Sequence, residues 1–160
     1  MKRYDLGDRM RAFLFTIVIL GFLPIGLVRA DSDAKKPTEG EVKMLEGTWQ
    51  LVTGELAGMK FPEEVAKGIR LTLTADRYVV ATPDGDDEGT VQLMPDKMPK
   101  ALDVSGTKGP NKGKTFLAIY EVQGESLTVC YDLEGTTRPT EFKTKPKTKL
   151  FLATYKKVKQ

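Results

Sequence analysis

Between residues 48 and 155, apolar side chains recur at every second position in short runs, and glycine, proline, asparagine or aspartate separates most of them. A period of two is the repeat of an extended strand, whose successive side chains point to opposite faces, whereas a helix face repeats every 3.6 residues. The first run, Thr48 to Leu56, puts Trp49, Leu51 and Thr53 on one face and Gln50, Val52 and Gly54 on the other. Further runs span 69–74, 78–81, 90–94, 101–104, 115–122, 126–132 and 148–155, which makes eight. Gly124-Glu125 suits a two-residue hairpin turn, residues 105–114 form a long loop with Gly106, Gly109 and Gly113, and 133–147 is a longer connection. Only residues 61–67 read clearly as helix, with Pro62 in the first turn, Glu63 and Glu64 near the positive end of the dipole, and Gly68 at the stop. A short helical turn at 42–45 leads into Gly47.

Eight short strands with little helix leave a long unpaired edge unless the sheet closes on itself. The expected fold is therefore mainly β: an antiparallel, about eight-stranded barrel with one short helix after the first strand. The late strands are apolar on both parities, with Phe116, Ala118, Tyr120 and Val122 opposing Leu117 and Ile119, so the inward parity stays open. Such strands need cover outside as well as inside, from the helix at 61–67 or from the leader before residue 42.

The domain boundaries follow from composition. Residues 12–28 are uncharged and apolar, Arg9 and Arg11 precede them, and Val28-Arg29-Ala30 ends them in a small-x-small pattern. Residues 1–30 are accordingly read as a signal peptide cleaved after Ala30, with an uncleaved anchor as the alternative. Residues 31–41 are read as a flexible polar leader and 42–160 as the barrel domain. The expected location is exported, periplasmic or extracellular, with no stable membrane insertion after cleavage. The formal charge of +3 belongs entirely to the first 30 residues; the remainder carries 20 basic and 20 acidic side chains, a balance that disfavours nucleic acid as a partner.

The chain has no histidine, which removes Ser-His-Asp and Cys-His relays and His-ligated zinc. Cys130 is the single cysteine and sits in an apolar run, so it reads as a small buried side chain without a disulfide partner. Residues 84–89 (DGDDEG) match half of a calcium loop, but Pro95 occupies the position of the closing glutamate, and the segment is read as a solvated hairpin tip. Residues 106–114 lack the first glycine of a phosphate loop, since Lys108 stands there. Asp103, Glu121, Asp132 and Glu141 lie on or beside strands, but nothing in the sequence brings a pair of them together. No catalytic, cofactor-binding or metal-binding residue is assigned, no cofactor is expected, and the chain is expected not to be an enzyme.

Gly47-Thr48-Trp49 resembles the Gly-x-Trp opening of the first lipocalin strand. Nearly all of the chain after the signal resembles a family of secreted planctomycetal lipocalin-like domains. The residues carrying this are Glu46-Gly47-Thr48-Trp49, Pro99-Lys100-Ala101-Leu102-Asp103, Gly113-Lys114-Thr115, Ala118-Ile119-Tyr120-Glu121, Leu127-Thr128-Val129-Cys130 and Arg138-Pro139-Thr140-Glu141-Phe142. The resemblance implies a lipocalin-type barrel and no activity. It also implies structural roles for Gly47 and Trp49 and a basic side chain packed across Trp49, for which Arg138 and Lys156 are the candidates.

Two functional readings follow. The leading one is an exported binding module whose barrel receives a small apolar or amphipathic ligand; the alternative is a structural or protein-interaction domain of the cell envelope with a filled interior. An enclosed cavity of a few hundred cubic ångströms separates them. The oligomeric state stays open.

Overall fold

A computed structural model describes residues 36–159; the expected signal peptide at 1–30 and the start of the leader lie outside the described residues. In chain order the elements are α1 (Glu39–Leu45), β1 (Gly47–Leu56), β2 (Met59–Lys60), α2 (Glu63–Lys67), β3 (Arg70–Thr74), β4 (Arg77–Thr82), β5 (Gly85–Met94), β6 (Ala101–Lys108), β7 (Thr115–Gln123), β8 (Ser126–Asp132) and β9 (Leu150–Lys157). Strands β1 and β3 to β9 pair antiparallel with their neighbours, and β9 returns to β1 with Leu51 opposite Tyr155. This closes an eight-stranded barrel, as the eight runs predict. The extra strand β2 adds two residues to the end of β1.

The first strand departs from its sequence pattern. The β1–β9 register shifts between Leu51 and Thr53, which leaves Val52 as a bulge and reverses the parity beyond it. Trp49 and Leu51 face the core before the bulge; after it Gly54 is buried and Thr53 exposed, the opposite of the expected assignment. Gly54 leaves room for the ring of Phe61, whose Cδ2 lies 2.6 Å from where a β-carbon would sit.

Inward parity on the late strands is Phe116, Ala118 and Tyr120 on β7, Leu127, Val129 and Tyr131 on β8, and Ala153 and Tyr155 on β9. Ile119 and Cys130 pair across β7 and β8 and are fully buried, yet they stand apart from this core. The segment between β8 and β9 provides their cover: the Cys130 thiol lies 3.7 Å from the carbonyl of Lys143, and Pro139 is buried. The cover expected from α2 or the leader is thus supplied by the long connection after Asp132. Arg138 fastens it, donating to the carbonyls of Leu102 (2.9 Å) and Ala118 (2.8 Å) and pairing with Asp103 at 2.6 Å. Asp132 folds the start of the same connection by accepting from the amides of Glu134, Thr136 and Thr137.

Helix α1 begins inside the stretch expected to be a flexible leader. Thr38 and Glu41 form a reciprocal capping box, with the Thr38 amide donating to Glu41 at 2.9 Å and the Glu41 amide to the Thr38 hydroxyl at 3.3 Å. The helix closes one barrel end: Leu45 is buried, and its carbonyl accepts from the indole of Trp49 at 2.8 Å. Helix α2 forms where Pro62 and the two glutamates place it, and Gln50 ties it to β1 through the carbonyls of Ala66 (3.1 Å) and Ile69 (3.0 Å).

Candidate functional site

The barrel holds a half-open cavity of about 330 Å³. Val42 and Leu45 of α1 floor it, and Leu71, Leu73, Val91, Leu93, Leu127 and Val129 form much of its wall. At the opposite end Phe61, Pro110, Leu133 and Phe151 form a rim, all half-buried or exposed. There the rings of Phe61 and Phe151 stack at 5.4 Å, and those of Phe151 and Tyr131 at 5.8 Å, which gives the rim a flat aromatic side.

Two carboxylates line this apolar space: Glu46, just after α1, whose Oε1 accepts from the amide of Ala75 at 3.0 Å, and Asp87. Asp87 lies on the inward parity of β5 with Gly89, Val91 and Leu93, and is only 7% exposed. Tyr78 donates its hydroxyl to Asp87 Oδ2 at 2.8 Å, while Asn111 donates its amide to Oδ1 at 3.0 Å and its side chain to Oδ2 at 3.1 Å. Two glycines make this possible. Gly89 sits opposite Tyr78 across the β4–β5 ladder, and a β-carbon there would lie 2.6 Å from the Tyr78 ring. Gly109, at φ +87°, packs against the backbone of Asp86 and Asp87, so the β6–β7 loop reaches the carboxylate with Asn111.

The acidic segment is therefore not a solvated tip. The turn consists of Pro83 and Asp84 alone, and pairing of Asp86 to Glu88 with β4 sends their side chains alternately out and in. Sequence reasoning missed Asp87 because six acids and glycines in a row, residues 84–89, read as loop; its period-two alignment with Val91 and Leu93 was the signal that places it inside. The loop at 106–114 serves as the platform for Asn111. Of the other acids considered, Asp103 pairs with Arg138, Asp132 caps its own connection, Glu121 accepts from Gln123, and Glu141 pairs with Lys143 and Lys145. None of these four lines the cavity.

Gly47 and Trp49 stand at the closed end. Gly47 has φ +119°, which glycine alone adopts without strain, and Trp49 is fully buried. The cation over the indole is Lys157, its ammonium 5.0 Å from the ring centroid and 3.2 Å from the Met44 carbonyl at the end of α1. Arg138 and Lys156, the expected candidates, do not fill this place: Arg138 is committed to Asp103, and Lys156 is exposed.

Tyr78, Tyr120, Tyr131 and Tyr155 are all held protonated beyond the ordinary phenol range. Burial is the main cause for each, seconded by Asp87 for Tyr78, by Glu41 for Tyr120 and by Tyr155 for Tyr131; Tyr120 and Tyr155 are pushed up to about 12. A folded-state value above the free value of 10.0 favours the fold while the phenol is neutral. That contribution is complete below pH 10.0 and lost as pH rises toward about 12. Spectrophotometric titration should therefore show these tyrosines ionising together with alkaline unfolding, and reversible ionisation near pH 10.0 in folded protein would contradict it.

No family model and no solved structure matches the chain. Among curated proteins, the sirohydrochlorin cobaltochelatase of Sulfolobus acidocaldarius is 31% identical over 96 residues, covering 58% of this chain and 73% of that protein. The relative is an enzyme, and this similarity corrects the expectation from the sequence that the chain is not one. The expectation rested on missing histidine relays and on acids that the sequence could not bring together, and neither bears on chemistry carried out by other groups.

Proposed function

The chain belongs to the family of sirohydrochlorin cobaltochelatase, and from that premise and the barrel geometry we propose that its interior is a binding site for a small apolar or amphipathic molecule. The observation that carries the reading is the cavity of about 330 Å³, within the size range of small-molecule sites, with aliphatic walls and an aromatic rim. A filled structural barrel, the alternative reading, has no use for such a space. The guest's apolar body would lie between Leu71, Leu93 and Val129, with a polar end at Asp87, Tyr78 and Asn111. An exported location is part of the same proposal, and the apolar run at 12–28 and its small-x-small end support it. The lipocalin-like resemblance supports the same use of the barrel.

Native mass spectrometry of protein purified from its own host should show a co-purifying small molecule. A panel of lipids and metabolites should contain compounds that raise the melting temperature. The relative's name adds sirohydrochlorin and cobalt(II), alone and together, to that panel. No added mass in repeated preparations, together with no thermal shift across the whole panel, rejects the proposal.

A further inference from the structure

Every hydrogen bond of the Asp87 carboxylate within the protein is one it accepts: one from Tyr78 and two from Asn111. This is the arrangement of an ionised carboxylate, yet all its donors are neutral. The adjacent Glu88, on the outward parity, takes Lys108 at 2.6 Å, and no cation pairs with Asp87 among the described residues. A nine-tenths-buried negative charge thus stands in the wall of an apolar cavity with neutral partners only. Burying a charge without an opposite one is costly, and three accepted hydrogen bonds leave about one acceptor direction on the carboxylate free. The rest of the wall is mostly aliphatic and aromatic and carries no cation, its other polar side chains being Thr82 and, just after α1, Glu46. Tyr131 and Tyr155 add neutral hydroxyl-bearing rings, which tolerate a cation and place no positive charge against it.

We infer that the cavity selects guests carrying a protonated amine at the end of an apolar body, with Asp87 as the counter-charge. This inference rests on the reading of the cavity as a guest site and names the chemical class it admits. The ammonium would donate to Asp87 and meet the tyrosine rings, while the chain occupies the space bounded by Leu71, Leu93 and Val129. An anionic guest would meet Asp87 as a like charge in a poorly screened interior.

Three probes of equal length separate the outcomes: octylamine, 1-octanol and octanoate, each titrated calorimetrically into the purified protein at neutral pH. Octylamine should bind about tenfold or more tightly than octanol, and octanoate more weakly than either, because a buried charge gains most from an opposite one. Asp87→Asn should abolish the preference for the amine, so that octylamine and octanol bind the variant within about twofold of each other. An unchanged circular dichroism spectrum serves as the check that the variant has kept its fold. Should the variant fail to fold, the ranking of the three probes on the unaltered protein still decides the matter. Octanol bound as well as octylamine, or a preference for octylamine that survives Asp87→Asn, overturns this inference and leaves the guest site standing. Binding of none of the three overturns this inference, while the guest site itself is decided by the co-purified mass and the thermal-shift panel.

Discussion

Replacing Trp49 with alanine should cost about 3–5 kcal/mol of folding free energy, a large part of what a domain of this size possesses. The indole is fully buried at the closed end of the barrel, so its loss opens a void between α1 and the strands. It also removes the donor to the Leu45 carbonyl and the surface under the Lys157 ammonium. Because the wall is a closed sheet with fixed register, it has little freedom to collapse into that void. Trp49→Phe separates the contributions: it keeps most of the apolar volume but leaves the Leu45 carbonyl without its indole donor, and should cost about 1–3 kcal/mol. Urea unfolding followed by circular dichroism measures both. A loss below about 1 kcal/mol for the alanine variant would show that the indole does not brace the closed end.

Gly89→Ala should be the second most damaging change, although it adds one methyl group. A β-carbon at position 89 would overlap the carbonyl oxygen of Ser105 on β6 and sit 2.6 Å from the Tyr78 ring. One obstacle is backbone in a paired strand, which cannot turn aside as a side chain does. The β5–β6 register shifts between Glu88 and Gly89, and the backbone of Ser105 stands close against the glycine there. Overpacking of this kind costs about 1–3 kcal/mol or more, and displacement of Tyr78 should carry the damage to the Asp87 cluster. Gly40→Ala is the matched control. Its β-carbon would meet nothing closer than 4.0 Å, and in helix α1 the change should be neutral or stabilising by up to about 1 kcal/mol. Equal melting temperatures for the two variants would contradict this account of Gly89.

The two variants probe features of different legibility. Trp49 announces itself in the sequence as a large ring on the apolar parity of the first strand. Gly89 does not, since it closes a run of acids and glycines that reads as loop. The same holds at the site. The apolar wall was legible in the alternation of Leu71, Leu73, Val91 and Leu93, because a repeat of two specifies a face whatever the partner strand is, whereas on the late strands, apolar on both parities, the structure alone chose the inward side. Asp87 became part of that face only when β5 was seen to start at Gly85 and run through the acids. Its partner Asn111 comes from a loop 24 residues further on, and no local pattern connects the two. The capping box at Thr38 and Glu41 was fully present in the sequence and would have moved the start of the domain into the stretch read as leader.

What the sequence determined alone was the class of fold: runs of period two, broken by residues that favour turns, force extended segments, and eight of them must close to hide their edges. What only the tertiary structure decided was direction and company. Because a single bulged residue reverses every side chain beyond it, Val52 settled which half of β1 faces the core. The cover over Cys130, the lysine above Trp49 and the donors around Asp87 all join residues distant in the chain. Contacts of that kind arise from the closure of the sheet, which no short stretch of sequence encodes.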